Sequence, residues 1–185
     1  EKLGVKFKIS NGFVIGNISK RLIGNKIKLP FPSVGATENL IMASVMAKGE
    51  TLIEDAAMEP EIEDLCKCLI SMGANIEGLG TKNIFIQGVE NLHESSHKII
   101  SDRIVAGTFI ILAVMTNNKL EIKNLNPQHL VSLIKILEKM GANLKISNKS
   151  IIVNPSKKLN GTKVKTGPYP NFPTDLQAQL MSLMS

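Results

Sequence analysis

Two short stretches combine a helix start with side chains able to do chemistry. The first is Phe31-Pro32-Ser33-Val34-Gly35-Ala36-Thr37-Glu38-Asn39, a strand-to-helix turn. The first backbone N–H groups of a helix lack intrahelical acceptors, and the helix dipole adds partial positive charge, so such a turn can hold an anion. Gly35 and Ala36 would let a ligand come close to the backbone. The plainer reading makes Ser33 or Thr37 a helix cap, which is what most Ser-x-Gly-x-Thr turns are. The second stretch is Phe172-Pro173-Thr174-Asp175-Leu176-Gln177-Ala178-Gln179, at the corresponding turn of a later repeat. Its proline-rich approach, Gly167 to Pro173, restrains the backbone and leaves the Asp175 carboxylate at the helix mouth. A carboxylate held beside an anion-binding turn is what a general base for a hydroxyl needs. Thr174 or Asp175 as a simple N-cap is the alternative.

Other reactive residue types point away from chemistry. Cys66 falls on an apolar helical stripe between Leu65 and Leu69 and reads as a small buried hydrophobe. Cys68 lies on the opposite face, and Cys-x-Cys is not the Cys-x-x-Cys spacing of zinc or redox sites. His93, His97 and His129 are far apart, so no metal site and no cofactor are expected. With 22 Lys+Arg against 16 Asp+Glu, the chain carries a formal charge of +6, which reads first as a Lys-rich surface and, functionally, as attraction to an anion, either nucleic acid or a phosphorylated metabolite. The lysines are scattered, Trp is absent and Tyr169 is the only Tyr, so small phosphorylated molecules are expected and nucleic acid is not. No apolar run approaches the roughly 18–20 residues of a membrane span, and no signal peptide is evident. The two cysteines are too close together to staple a fold, which fits a reducing cytoplasm.

The elements that position the two turns come from an internal repeat. Leu3-Gly4-Val5-Lys6-Phe7-Lys8-Ile9 returns as Met72-Gly73-Ala74-Asn75-Ile76 and again as Met140-Gly141-Ala142-Asn143-Leu144-Lys145-Ile146, so the glycines recur at a nearly constant step. Leu22-Ile23-Gly24-Asn25-Lys26 and Leu159-Asn160-Gly161-Thr162-Lys163 are separated by two such steps. One supersecondary unit is therefore used about two and a half times. Within it the pattern predicts a buried helix over 39–47 stopped by Gly49, a strand over 51–54, and a second helix opening at Pro60 with Ile62, Leu65, Cys66 and Leu69 inward. Strands at 75–77, 83–87 and 98–100 follow. The next copy gives a helix over 104–116, a strand over 120–123 and a helix from Pro127 with Leu130, Leu133, Ile134 and Leu137 inward. Its strands are expected at 144–146, 151–153 and 163–165. Such a unit cannot close a core alone, so copies should pack with helices inside and sheets outside.

Phe31-Pro32-Ser33-Val34-Gly35-Ala36-Thr37-Glu38-Asn39, Glu59-Pro60-Glu61-Ile62, Asp102-Arg103-Ile104 with Gly107-Thr108, and Phe172-Pro173-Thr174-Asp175-Leu176-Gln177-Ala178-Gln179 resemble the bacterial UDP-N-acetylglucosamine enolpyruvyl transferases, in order and near spacing. The resemblance implies an inside-out α/β barrel of repeated βαβαββ units, of the enolpyruvyl transferase/EPSP synthase-like kind and only partly represented here. Residues 1–100 would be the C-terminal part of one repeat-built domain and 101–185 the first part of the next. It implies transfer of the enolpyruvyl group of phosphoenolpyruvate to the 3-hydroxyl of UDP-N-acetylglucosamine with release of phosphate, the first committed step of peptidoglycan synthesis. Ser33, Val34 and Gly35 would contact the UDP-sugar, and Asp175 would hold its 3-hydroxyl and take the proton. Where some members have Lys before the Ser-Val-Gly turn, this chain has Phe31-Pro32.

The family's catalytic cysteine loop, its N-terminal Lys-Asn pair and the arginines that clamp phosphoenolpyruvate find no match in this chain. The resemblance therefore places the chain in the middle of the enzyme and implies that it is inactive by itself, with apolar helix faces left uncovered. Neither reading specifies an oligomeric state. Two alternatives stand beside this one: the shikimate-pathway enolpyruvyl transferase, and a non-catalytic anion- or RNA-binding repeat protein.

Overall fold

The repeated glycines are where the sequence period becomes geometry. In the computed structural model, which describes all of residues 1–185, Gly4, Gly73 and Gly141 have φ of 92°, 98° and 94°. Left-handed backbone is strained for other residues, so each glycine ends one segment and turns the chain into a strand. The residue before each glycine also accepts the same long-range bond. Its carbonyl takes the backbone N–H of Ile23 at Leu3 (3.1 Å), of His93 at Met72 (2.9 Å) and of Asn160 at Met140 (2.8 Å).

The chain divides into two compact units, Glu1–Ile99 and Ile100–Ser185. The first opens with a hairpin, β1 (Lys6–Ser10) and β2 (Phe13–Asn17), around Asn11-Gly12 with φ of 51° and 80°. Asn-Gly with both residues at positive φ is the turn that matches strand twist. Then come β3 (Lys26–Lys28), α1 (Val34–Ser44), β4 (Glu50–Glu54), α2 (Pro60–Ser71), β5 (Asn75–Glu77) and β6 (Asn83–Gln87). Their sheet runs β3-β4-β6-β5, with β3 parallel to β4 and the other pairs antiparallel. The parallel pair needs a crossover, and α1 supplies it. Alternate residues Ile27, Ile53, Ile76, Ile84 and Ile86 are buried, so one sheet face is apolar, and the other is mostly polar apart from Leu52 and half-exposed Phe85. The core joins the apolar face to Ile41 of α1, to Val45 at its C-terminal cap and to Ile62, Cys66 and Leu69 of α2.

The second unit holds α3 (Arg103–Met115), β7 (Leu120–Lys123), α4 (Val131–Met140), β8 (Asn143–Ile146), β9 (Ser150–Asn154) and α5 (Gln177–Met184). Its sheet runs β7-β9-β8, wholly antiparallel. Ile110, Leu133, Leu137, Met140, Ile151, Val153 and Leu176 form its core. Val105, Phe109, Leu112 and Met115 follow one stripe of α3 and are 42–52% exposed. No helix is long and apolar enough to cross a membrane.

Local expectations differ from the structure in four places. The helix expected over 39–47 begins earlier, at Val34, because Ser33 caps it, and ends at Ser44, so Gly49 (φ 85°) turns the chain into β4 instead of stopping the helix. The helix expected from Pro127 opens as a 3-10 turn, Pro127–Leu130, before α4. Segments 98–100 and 163–165 are not strands. A strand needs a neighbour to bond, and β3, which both would echo, finds β4 across one helix. Segment 98–100 lies where the two units meet in sequence, and β7 bonds only β9. Beside 163–165 only Thr166 makes a ladder contact, an isolated parallel bridge to Phe172.

Candidate active-site turns

At the head of α1, Ser33 adopts extended backbone (φ −84°, ψ 124°) and its Oγ accepts the Ala36 N–H at 3.3 Å. Thr37, fully buried, donates its hydroxyl to the Ser33 carbonyl (2.8 Å) and accepts the Ala57 N–H (3.0 Å). That hydroxyl bolts the first turn of α1 to the segment linking β4 and α2. Val34 and Gly35 occupy the first two helical positions, where backbone N–H groups have no acceptor within the helix. No acidic side chain sits in that first turn, so nothing of its own offsets the positive end of the helix. Gly35 is exposed, and a Cβ built on it would meet nothing within 4 Å. The approach to those N–H groups is open. The structure thus gives Ser33 its capping role and leaves Val34 and Gly35 able to receive an anion.

Asp175 sits in a 3-10 turn, Thr174–Leu176, that leads into α5. The loop before it is tied to itself. The Gly167 N–H donates to the Phe172 carbonyl (2.9 Å), the Asn171 N–H donates to the Pro168 carbonyl (2.9 Å), and Tyr169–Pro170 is a cis peptide. The Arg103 guanidinium lies 5.7 Å over the Tyr169 ring, a cation–π contact between the start of α3 and this loop. Phe172 and Leu176, on either side of Asp175, are 3% and 0% exposed. Leu176 is seated on Gly107, where an added Cβ would come within 2.8 Å of its Cδ1. Gln179 donates to the Thr108 hydroxyl at 3.1 Å, fastening α5 to α3.

Between these anchors the Asp175 side chain is exposed and makes no hydrogen bond or ion pair in the chain. The N-cap alternative fails for it and for Thr174. The cap position is Pro173, with no side-chain cap bond. The true aspartate cap is Asp102, whose Oδ1 accepts the Ile104 and Val105 N–H groups at 2.8 and 2.9 Å. Arg103 and Tyr169 were not singled out as site residues from sequence. An arginine directly after the capping Asp102, and a lone tyrosine between two prolines, are the signals the sequence offers.

The Ser33 and Asp175 turns lie in different units. Cys66 is fully buried, and burial first, with the Glu63 charge second, pushes its thiol up to about 11. It stays protonated and unreactive at neutral pH.

The profile of the family described as EPSP synthase (3-phosphoshikimate 1-carboxyvinyltransferase) matches residues 1–185. The chain is similar to the UDP-N-acetylglucosamine 1-carboxyvinyltransferase of Pelagibacter ubique, at 47% identity over 183 residues. It is 50% identical over 183 residues to UDP-N-acetylglucosamine 1-carboxyvinyltransferase 2 of Clostridium tetani. Both alignments take in 99% of this chain and 44% of the relative, so the chain spans less than half the length of these relatives. Among solved structures it is similar to the enolpyruvyl transferase NikO from Streptomyces tendae, with TM-score 0.85 and 22% identity over 98% of this chain and 46% of that one. EPSP synthase from Acinetobacter baumannii aligns with TM-score 0.65 and 20% identity, over 88% of this chain and 39% of the other. At such identities the structural likeness concerns the fold, and that fold is the EPSP synthase-like α/β class that the resemblance implied.

Proposed function

The chain belongs to the EPSP synthase family, and from that premise we propose that the protein containing it is a UDP-N-acetylglucosamine 1-carboxyvinyltransferase. It would move the enolpyruvyl group of phosphoenolpyruvate to the 3-hydroxyl of the sugar. The hydroxyl oxygen bonds to the enol carbon, that carbon's bond to the phosphate oxygen breaks, and the hydroxyl proton passes to a base. The observation that carries this reading is near-half identity, across nearly the whole chain, to relatives bearing that name. The shikimate-pathway alternative shares the family and the fold but has no support of that kind here.

In this reading Asp175 takes the proton. Its carboxylate is exposed, unbonded and held between buried Phe172 and Leu176, so it can accept a hydrogen bond from a hydroxyl without disrupting a structural contact. Arg103 stacked on Tyr169 is a positioning contact for the loop that presents it. Ser33, Val34 and Gly35 would receive the nucleotide end of the sugar, with backbone N–H groups and the dipole of α1 facing its phosphates. No residue of this chain is assigned to phosphoenolpyruvate. The reaction belongs to cell-wall synthesis, and a nucleotide-sugar substrate fits a cytoplasmic enzyme.

Two measurements on the full-length protein test the reading. UDP-N-acetylglucosamine should raise the melting temperature and shikimate 3-phosphate should not. Phosphate release should require both phosphoenolpyruvate and UDP-N-acetylglucosamine. Release with shikimate 3-phosphate instead would move the protein to the other branch of the family.

A further inference from the structure

The second unit carries a hollow of about 480 Å³ that neither proposed site uses. Its walls are Ser132 and Lys135 of α4, Lys163 and Lys165 of the following segment, and Tyr169 with Asn171 of the proline-rich loop. No Asp or Glu lines it, and neither does Asp175. Lys135, Lys163 and Lys165 are exposed and make no ion pair within the chain.

The repeat shows what fills this place in the first unit. The step that carries Gly73 onto Gly141 aligns Ile62, Leu65, Cys66 and Leu69 of α2 with Leu130, Leu133, Ile134 and Leu137. The same step aligns Lys67 with Lys135 and His97 with Lys165. In the first unit these basic positions meet acids on α2. His97 Nε2 is 3.0 Å from Asp64 Oδ1, with side chains 19% and 12% exposed. Lys67 Nζ is 2.7 Å from Glu63. In the second unit the positions of Asp64 and Glu63 are Ser132 and Val131. The bases persist and both acids are gone.

We propose that this face of the second unit binds a phosphate-bearing small molecule, whose charge stands where Asp64 and Glu63 stand in the first unit. Three ammonium groups provide point charges, and the Ser132 hydroxyl and Asn171 amide can donate to phosphate oxygens. The hollow falls in the size range of small-molecule sites, about 300–1,000 Å³. The site shares the proline-rich loop with the Asp175 turn but does not include Asp175.

Lysine acetylation footprinting of the full-length protein, read by peptide mass spectrometry, tests the proposal. The probes are inorganic phosphate, a simple sugar phosphomonoester and single-stranded RNA. Phosphate or the phosphomonoester should slow acetylation of Lys135, Lys163 and Lys165 in a saturable way and leave the exposed Lys119 and Lys145 unchanged. Whichever of the two protects at lower concentration identifies the source of the phosphate group. Ser132→Asp, which restores the acid of the first unit, should abolish protection. Lys165→Gln, an exposed change that spares the fold, should weaken it by roughly tenfold. Equal slowing at Lys119 and Lys145, protection that survives Ser132→Asp and Lys165→Gln, or protection by RNA alone would each overturn the proposal.

Discussion

At the head of α1, Ser33 caps Ala36, and Thr37 is bonded to both Ser33 and Ala57. At the head of α5, Asp175 stands between two buried side chains and bonds to nothing in the chain. The two turns begin helices at like stages of the module, yet one commits its polar side chains to the fold and the other leaves its carboxylate idle. A group already holding structure together is a poor reagent, because its lone pairs are engaged. An idle one, rigidly presented, is explained by the fold only as an accident. The first turn instead offers backbone N–H groups, which no substitution other than proline removes.

The sharpest break would come at Asp175. Asp175→Asn in the full-length protein should lower the rate of phosphate release about 10²–10⁴-fold, the range expected for a lost general base. Its melting temperature should match that of the parent, because no contact is lost. A parent-like rate would refute the assignment. Thr37→Val, at the committed turn, should do the reverse. It leaves the Ala57 N–H without its partner, and stability measured by denaturant unfolding should fall by about 1–3 kcal/mol.

The cysteines repeat the contrast on a smaller scale. The Cys66 thiol ionises near 11 in the fold and near 9 when unfolded. The unfolded chain therefore loses this proton first as pH rises, so the contribution is intact below 9 and is lost between 9 and 11. By pH 11 that amounts to roughly 2 kcal/mol, and Cys66→Val should remove this part of the slope in pH-dependent unfolding. Half-exposed Cys68 should be alkylated in the native protein at neutral pH while Cys66 is not. The smallest effect belongs to Gly35→Ala. An added methyl meets nothing within 4 Å, so stability should change by less than about 0.5 kcal/mol, while the Michaelis constant for UDP-N-acetylglucosamine rises.

What the sequence made legible was whatever depends on local rules. Gly73 and Gly141 marked helix ends because few other residues tolerate their φ, and Pro60 with Ile62, Leu65, Cys66 and Leu69 marked α2 because the apolar spacing is helical. Segments 98–100 and 163–165 had the right composition for strands, but a strand exists only with a bonded neighbour, and no local pattern reports one. The start of α1 was placed late because Val34, Gly35 and Thr37 are poor helix formers, and the Ser33 cap outweighs them. The motif turns were readable from their strings. That Asp175 is idle and Thr37 doubly bonded was not, since both are long-range facts. The Arg103–Tyr169 stack joins positions far apart in the chain and was equally hidden.

Leu3, Met72 and Met140 each offer a carbonyl to a backbone donor that follows at an almost fixed remove along the chain: Ile23, His93 and Asn160. Since only main-chain atoms form this latch, residues with three dissimilar side chains serve as donor through their backbone N–H, and proline alone is forbidden there. Mutation can therefore rewrite the residue freely while length stays nearly frozen. A gene segment duplicated between two such latches would arrive with its closure already encoded, which makes the latch a natural seam for shuffling these modules or for splicing engineered ones.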